Sequence, residues 1–125
     1  MLFLHSMEQE TFSTLLAHAL DKAASEHGQH YPEGGAKAWG MVGATYLSFA
    51  LCGLPSAQLR SIQYRTRQDF GPVILDCKWY DRLKAECLNN QESADILIPG
   101  PDGKPCKRSV TEQLFLEMLD FCREG

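Results

Sequence analysis

The sequence predicts a mainly α fold of about four helices with a minor two-stranded β element; a compact single-domain α+β arrangement is the alternative. Three observations carry that reading. The segment Ala36–Leu54, AKAWGMVGATYLSFALCGL, is the most apolar of the chain, and no charged residue falls between Lys37 and Arg60. Two other stretches, starting near Met7 and near Val110, place apolar residues at helical spacing. One short run, Asp95-Ile96-Leu97-Ile98, is apolar and β-branched in the manner of a strand.

The central segment is too long for an ordinary strand and does not alternate. Gly53 and Pro55 stand where a helix stop is expected. On a helix, Ala36, Gly40, Ala44, Ser48 and Cys52 recur every four residues, and all are small. Such a stripe lets a second backbone approach closely, so it reads as a helix-packing or dimer-forming surface. Trp39, Val42, Tyr46 and Phe49 form a bulky face suited to a core. The run is short for a membrane span, is diluted by glycines and hydroxyls, and lacks a flanking cluster of Lys or Arg.

With 125 residues, the chain has the length of one globular domain, 1–125, and enough of it to build a core without a disulfide or metal. Its net charge is −4, with two Lys/Arg against five Asp/Glu in residues 1–54 and ten against eleven in 55–125. A mildly acidic chain is a poor general binder of nucleic acid. The five cysteines are Cys52, Cys77, Cys87, Cys106 and Cys122. Their odd number and scatter suit reduced thiols used as small hydrophobes, which points to a reducing, cytoplasmic setting. The N-terminus has neither the basic start nor the apolar length of a secretory signal.

In chain order, Ser6-Met7-Glu8-Gln9 has the form of a capping box. Glu8 and Glu10 suit the first turn, and Phe12, Leu15, Leu16, Ala19, Leu20 and Ala23 follow helical spacing to a stop at Gly28. Leu2-Phe3-Leu4 reads as an extended arm within residues 1–6, or as residues ahead of a start at Met7. Residues 28–35, GQHYPEGG, read as a linker. Pro55–Thr66 is open between a helix with Leu59 and Ile62 facing inward and a strand at 61–66. Gln68–Gly71 reads as a turn, and Pro72 as the first residue of a helix that runs to Leu88, with Leu75, Trp79, Leu83 and Cys87 on one face. PVILDCKWY, Pro72–Tyr80, also suits a strand. Residues 95–98 are expected to pair with 61–66 across the turn-rich Pro99–Gly103. Ser109-Val110-Thr111-Glu112 reads as a second capping box, opening a helix over about 110–123 with a broad apolar face.

Chemical constellations are sparse. No nucleotide-binding, hydrolase, metalloprotease, calcium-binding or paired-cysteine motif occurs, and no cofactor is implied. His27 and His30 flank a glycine at a helix end and are the nearest approach to a metal site, though zinc needs three or four ligands. Cys106 lies between Lys104 and Lys107-Arg108 at the expected start of the last helix, the setting that lowers a thiol pKa. Arg60, Arg65 and Arg67, with Tyr64 and Phe70, form one basic cluster; Lys104, Lys107 and Arg108 form another. Strand pairing of 61–66 with 95–98 would bring the two together as an anion or single-strand site.

The leading expectation is therefore a small cytoplasmic regulatory or inhibitory protein of anti-activator, immunity or inhibitor type. It would act by binding another protein, without catalysis, and as a homodimer. Tyr31, Tyr64, Arg65, Arg67, Phe70, Phe115 and Met118 are its candidate partner-binding residues, and Ala36, Gly40, Ala44 and Ser48 its packing or dimer stripe. A nucleic-acid-binding regulator using the two basic clusters is the alternative. A small enzyme or metal-binding protein using His27, His30 and Cys106 is the third reading.

Overall fold

The computed structural model describes residues 11–89, 91–100 and 102–124. The Ser6–Gln9 capping box, Glu8, Glu10 and the Leu2-Phe3-Leu4 arm lie outside them. Among the described residues, five α-helices and one two-stranded antiparallel sheet make up a fold that is mainly α with a minor β element. The helices are α1 (Phe12–Glu26), α2 (Gly35–Cys52), α3 (Ser56–Phe70), α4 (Tyr80–Leu88) and α5 (Glu112–Glu124). A single 3-10 turn, Cys77–Trp79, precedes α4, and β1 (Ser93–Pro99) and β2 (Pro105–Thr111) form a hairpin between α4 and α5.

The apolar run becomes α2, and α1, α3, α5 and β1 all pack on it. Gly53 ends it in the left-handed conformation, φ 77°, where a side chain would be strained. The small-residue stripe is occupied within the chain. At Gly40 a Cβ would collide with the Ser13 carbonyl and stand 2.9 Å from the Ala17 Cβ, so the backbones of α1 and α2 touch there. At Gly43 it would meet the Leu16 side chain and, at 2.9 Å, the Met118 sulfur of α5. Ala44 and Ser48 are fully buried, and the Ser48 hydroxyl donates to the Pro99 carbonyl at the end of β1.

Around these contacts Phe12, Leu16, Leu20, Trp39, Val42, Leu47, Leu83, Leu88, Phe115, Met118 and Leu119 form one core. Each large side chain there contributes on the order of 2–3 kcal/mol through burial. The broad apolar face of α5 is largely absorbed by it: Phe115, Met118, Leu119 and Cys122 are buried. Phe49 does not follow Trp39 and Val42 inward but is 39% exposed, beside Tyr46. Surface ion pairs Lys22–Glu86 and Arg82–Glu26 tie α1 to α4, and Lys84–Glu112 ties α4 to α5. Pairs as exposed as these are each worth at most about 1 kcal/mol.

Three expectations about local structure are corrected. Residues 61–66 belong to α3 and pair with no strand; β1 pairs with β2, in the register Ile98↔Cys106 and Ile96↔Arg108. The hairpin needs only the turn-rich Pro99–Gly103 between its strands, a shorter closure than a distant partner requires. Residues 72–76 are not helical, and Cys77–Trp79 makes only a 3-10 turn before α4. Ser109 and Val110 remain in β2, so the last helix begins at Glu112. Its cap is Thr111, whose hydroxyl accepts from the Leu114 N–H at 3.2 Å. Lys104, Lys107 and Arg108 consequently lie along the hairpin and not at a helix N-terminus.

The α1–α2 contact should tolerate no added bulk. Gly40→Ala is expected to destabilise by about 1–3 kcal/mol and Gly40→Leu by more, while Lys37→Ala stays within about 0.5 kcal/mol; urea unfolding of the three variants measures the order. A pH dependence follows from the core thiols. Burial pushes Cys87 and Cys122 up to about 12 from 9.0, and it raises the Tyr31 hydroxyl as well. The fold holds the protonated forms, so their contribution is intact below about pH 9 and is lost as pH rises towards 12. Denaturant unfolding at stepped pH should show stability falling across that window, with a shallower fall in Cys122→Ala.

Candidate functional site

The turn between α3 and α4 shapes a cleft of about 430 Å³, lined by Gln29, Pro72 to Asp76, Trp79 and Arg123. Gly71 ends α3 at φ 83°, and Pro72 directs the chain into an extended path. Nothing in a neighbouring strand satisfies this stretch. Instead the Tyr31 hydroxyl accepts from the Ile74 N–H at 3.0 Å and donates to the Ile74 carbonyl at 3.0 Å. The Trp39 indole N–H donates to the Gly71 carbonyl at 3.1 Å. One buried ring, Trp39, and one partly buried ring, Tyr31, thereby hold the backbone wall of the cleft.

At the end of this wall, Asp76 accepts from the Lys78 N–H at 2.9 Å and starts the 3-10 turn. That bond holds the Asp76 carboxyl below the usual carboxylate range. The turn places Trp79 on the cleft floor, stacked on His27 at 4.3 Å between ring centres. The His27 Nδ1–H donates to the Ala23 carbonyl at 2.8 Å. Opposite, Arg123 of α5 lies over the Tyr80 ring, 5.9 Å from its centre, and donates to its hydroxyl at 3.4 Å. The Tyr80 hydroxyl donates in turn to Asp120 at 2.8 Å. Burial raises the Tyr80 hydroxyl above its ordinary value.

The cleft thus joins an apolar floor, Val73 to Leu75 and Trp79, to a guanidinium and an ionised carboxylate. A guanidinium suits a carboxylate or phosphate, and Asp76 can accept from hydroxyl groups. Among the described residues no group of three or more His, Cys, Asp or Glu could hold a metal ion. His27 and His30 are both exposed, and His27 is committed to its stack and its carbonyl.

The structure disperses the residues expected to bind a partner. Phe115 and Met118 are fully buried and cannot form a docking surface without unfolding α5. Tyr31 is committed to Ile74. Arg67 lies over the Trp39 ring at 5.4 Å and donates to the Cys122 carbonyl near the end of α5. Phe70 packs beside Gly34. Tyr64, 67% exposed, and Arg65 remain on the surface of α3. The Arg60–Arg67 and Lys104–Arg108 groups sit on α3 and β2, elements that do not pair, so the strand pairing meant to unite them does not exist.

No protein-family model matches the chain, and no solved structure matches it. Among curated proteins it is similar to 3-dehydroquinate synthase of Parabacteroides distasonis, with 28% identity over 119 residues. The match covers 91% of this chain and 34% of that enzyme, so the chain spans about a third of the relative's length. The likeness is to an enzyme. It corrects the expectation of a non-catalytic inhibitory or regulatory protein, along with the nucleic-acid reading beside it. The cleft residues Gln29, Asp76, Trp79 and Arg123 escape sequence reading because they come from three separated segments. The strand-like pattern of PVILD was the one signal that the wall is extended.

Tyr31→Phe should leave the Ile74 N–H and carbonyl without their partner and cost about 1–3 kcal/mol. Hydrogen exchange at the Ile74 amide should accelerate in that variant, while amides in the middle of α2 keep their protection relative to global stability.

Proposed function

We propose that this chain acts as an enzyme of the 3-dehydroquinate synthase type, and that its cleft holds the carboxylate that such an enzyme forms. The observation that carries the reading is the extent of the likeness: it runs along 91% of the chain. A local motif shared by chance would not extend over a whole fold.

The cleft chemistry agrees with that assignment. Dehydroquinate is by its name a carboxylate, and Arg123 is a cation at the rim that is not consumed by an ion pair within 4 Å among the described residues. Asp76, held ionised by the Lys78 N–H, accepts hydroxyl hydrogens.

The reading is tested by titrating 3-dehydroquinate into the purified chain and following backbone and indole amides by NMR. Saturable shifts should centre on Asp76, Trp79 and Arg123, and Arg123→Ala should weaken binding by about ten- to a hundredfold, as loss of a charged hydrogen bond implies. Absence of saturable shifts at millimolar ligand, or affinity indifferent to Arg123, would refute it.

A further inference from the structure

Three of the five cysteines are accounted for by the core or the open surface: Cys87 and Cys122 are buried, and Cys77 is exposed. The other two, Cys52 and Cys106, meet. Cys52 lies in the last turn of α2, one turn beyond Ser48, on the small-residue stripe. Ser48 donates to the Pro99 carbonyl, which fixes the end of β1 against that turn. Cys106 opens β2 opposite Ile98, and Ile98 is 1% exposed, so this end of the hairpin is pressed on the helix. Gly100 keeps the thiol in place from the other side: a Cβ there would stand 2.8 Å from the Cys106 sulfur. The result is two partly buried thiols within interacting distance of each other, with the Arg108 guanidinium beside Cys52.

We propose that Cys52 and Cys106 are a redox-responsive dithiol that closes to a disulfide under peroxide, locking the C-terminal turn of α2 to the hairpin. The step balances as follows. One thiolate attacks a peroxide oxygen and becomes a sulfenic acid, and the departing hydroxide takes a proton to form water. The second thiol loses its proton and attacks the sulfenyl sulfur, forming the S–S bond and releasing a second water. Two thiols lose two electrons in total, and one hydrogen peroxide gains them. Burial holds the Cys52 thiol above its ordinary value, and the Arg108 cation beside it offsets part of that rise. Partial exposure of both thiols admits a small oxidant.

This inference is independent of what the cleft binds. It is tested on the purified chain by exposure to millimolar hydrogen peroxide, alkylation of the remaining thiols under denaturing conditions, and peptide mapping by mass spectrometry. The expected product has lost about 2 Da and carries a Cys52–Cys106 cross-link that reductant reverses. It should form undiminished in Cys77→Ser and be absent from Cys52→Ser and Cys106→Ser, each of which should keep its helical circular dichroism. A map in which Cys52 and Cys106 both remain alkylatable, or in which either is joined mainly to Cys77, overturns the proposal.

Discussion

The close approach of α1 to α2 is the contact on which the rest of the molecule depends. Helices ordinarily pack 8–10 Å apart with side chains between them. At Gly40 the neighbour is the α1 backbone itself, and at Gly43 it is Leu16 together with Met118 of the C-terminal helix. Two missing side chains therefore set the depth at which α1 sits and leave a groove that α5 fills. With α1 and α5 in place, Trp39 is enclosed, and its indole N–H finds the Gly71 carbonyl. The wall of the cleft is fixed from there. Packing in the centre is thus linked through one hydrogen bond to the geometry of a cleft that combines a guanidinium, an ionised carboxylate and an apolar floor.

The sequence was legible where structure is local. The fold class, the limits of α2 and the stop at Gly53 all follow from composition and spacing over a few turns of chain, and they hold. The stripe of Ala36, Gly40, Ala44 and Ser48 also marked a real close contact, though its partner is α1 and the hairpin. Legibility failed where a distant group decides. Pro72–Asp76 is extended because the hydroxyl of Tyr31, far off in sequence, supplies both bonds that a helix would otherwise have made. Ser109-Val110-Thr111-Glu112 contains two acceptable caps, and hairpin pairing through Val110 selected the second. Phe115 and Met118 looked available only because the width of an apolar face does not say how many neighbours share it. The cleft was invisible for the same kind of reason: its parts share no local pattern.

The enzyme likeness changes how the sparseness of chemical motifs is understood. A chain that matches about a third of a curated enzyme need not contain a complete set of reacting groups, and the lack of a recognisable nucleophile and base is no argument against catalysis by the whole. What this chain offers is shape: a set of packed helices that positions an arginine, a carboxylate and an aromatic floor. Rigid elements place such groups more accurately than loops do.

The hairpin stands without a third strand among the described residues. Each of its strands therefore presents one row of peptide groups that no β neighbour satisfies, and such rows recruit copies of themselves into growing sheets. Pro105 deletes a donor at the start of β2 and Pro99 another at the end of β1. Lys104, Lys107 and Arg108 then set three cations along the same short element, so that two molecules meeting edge to edge would bring like charges together. The basic cluster that looked like a place to bind something is equally well understood as a guard against aggregation.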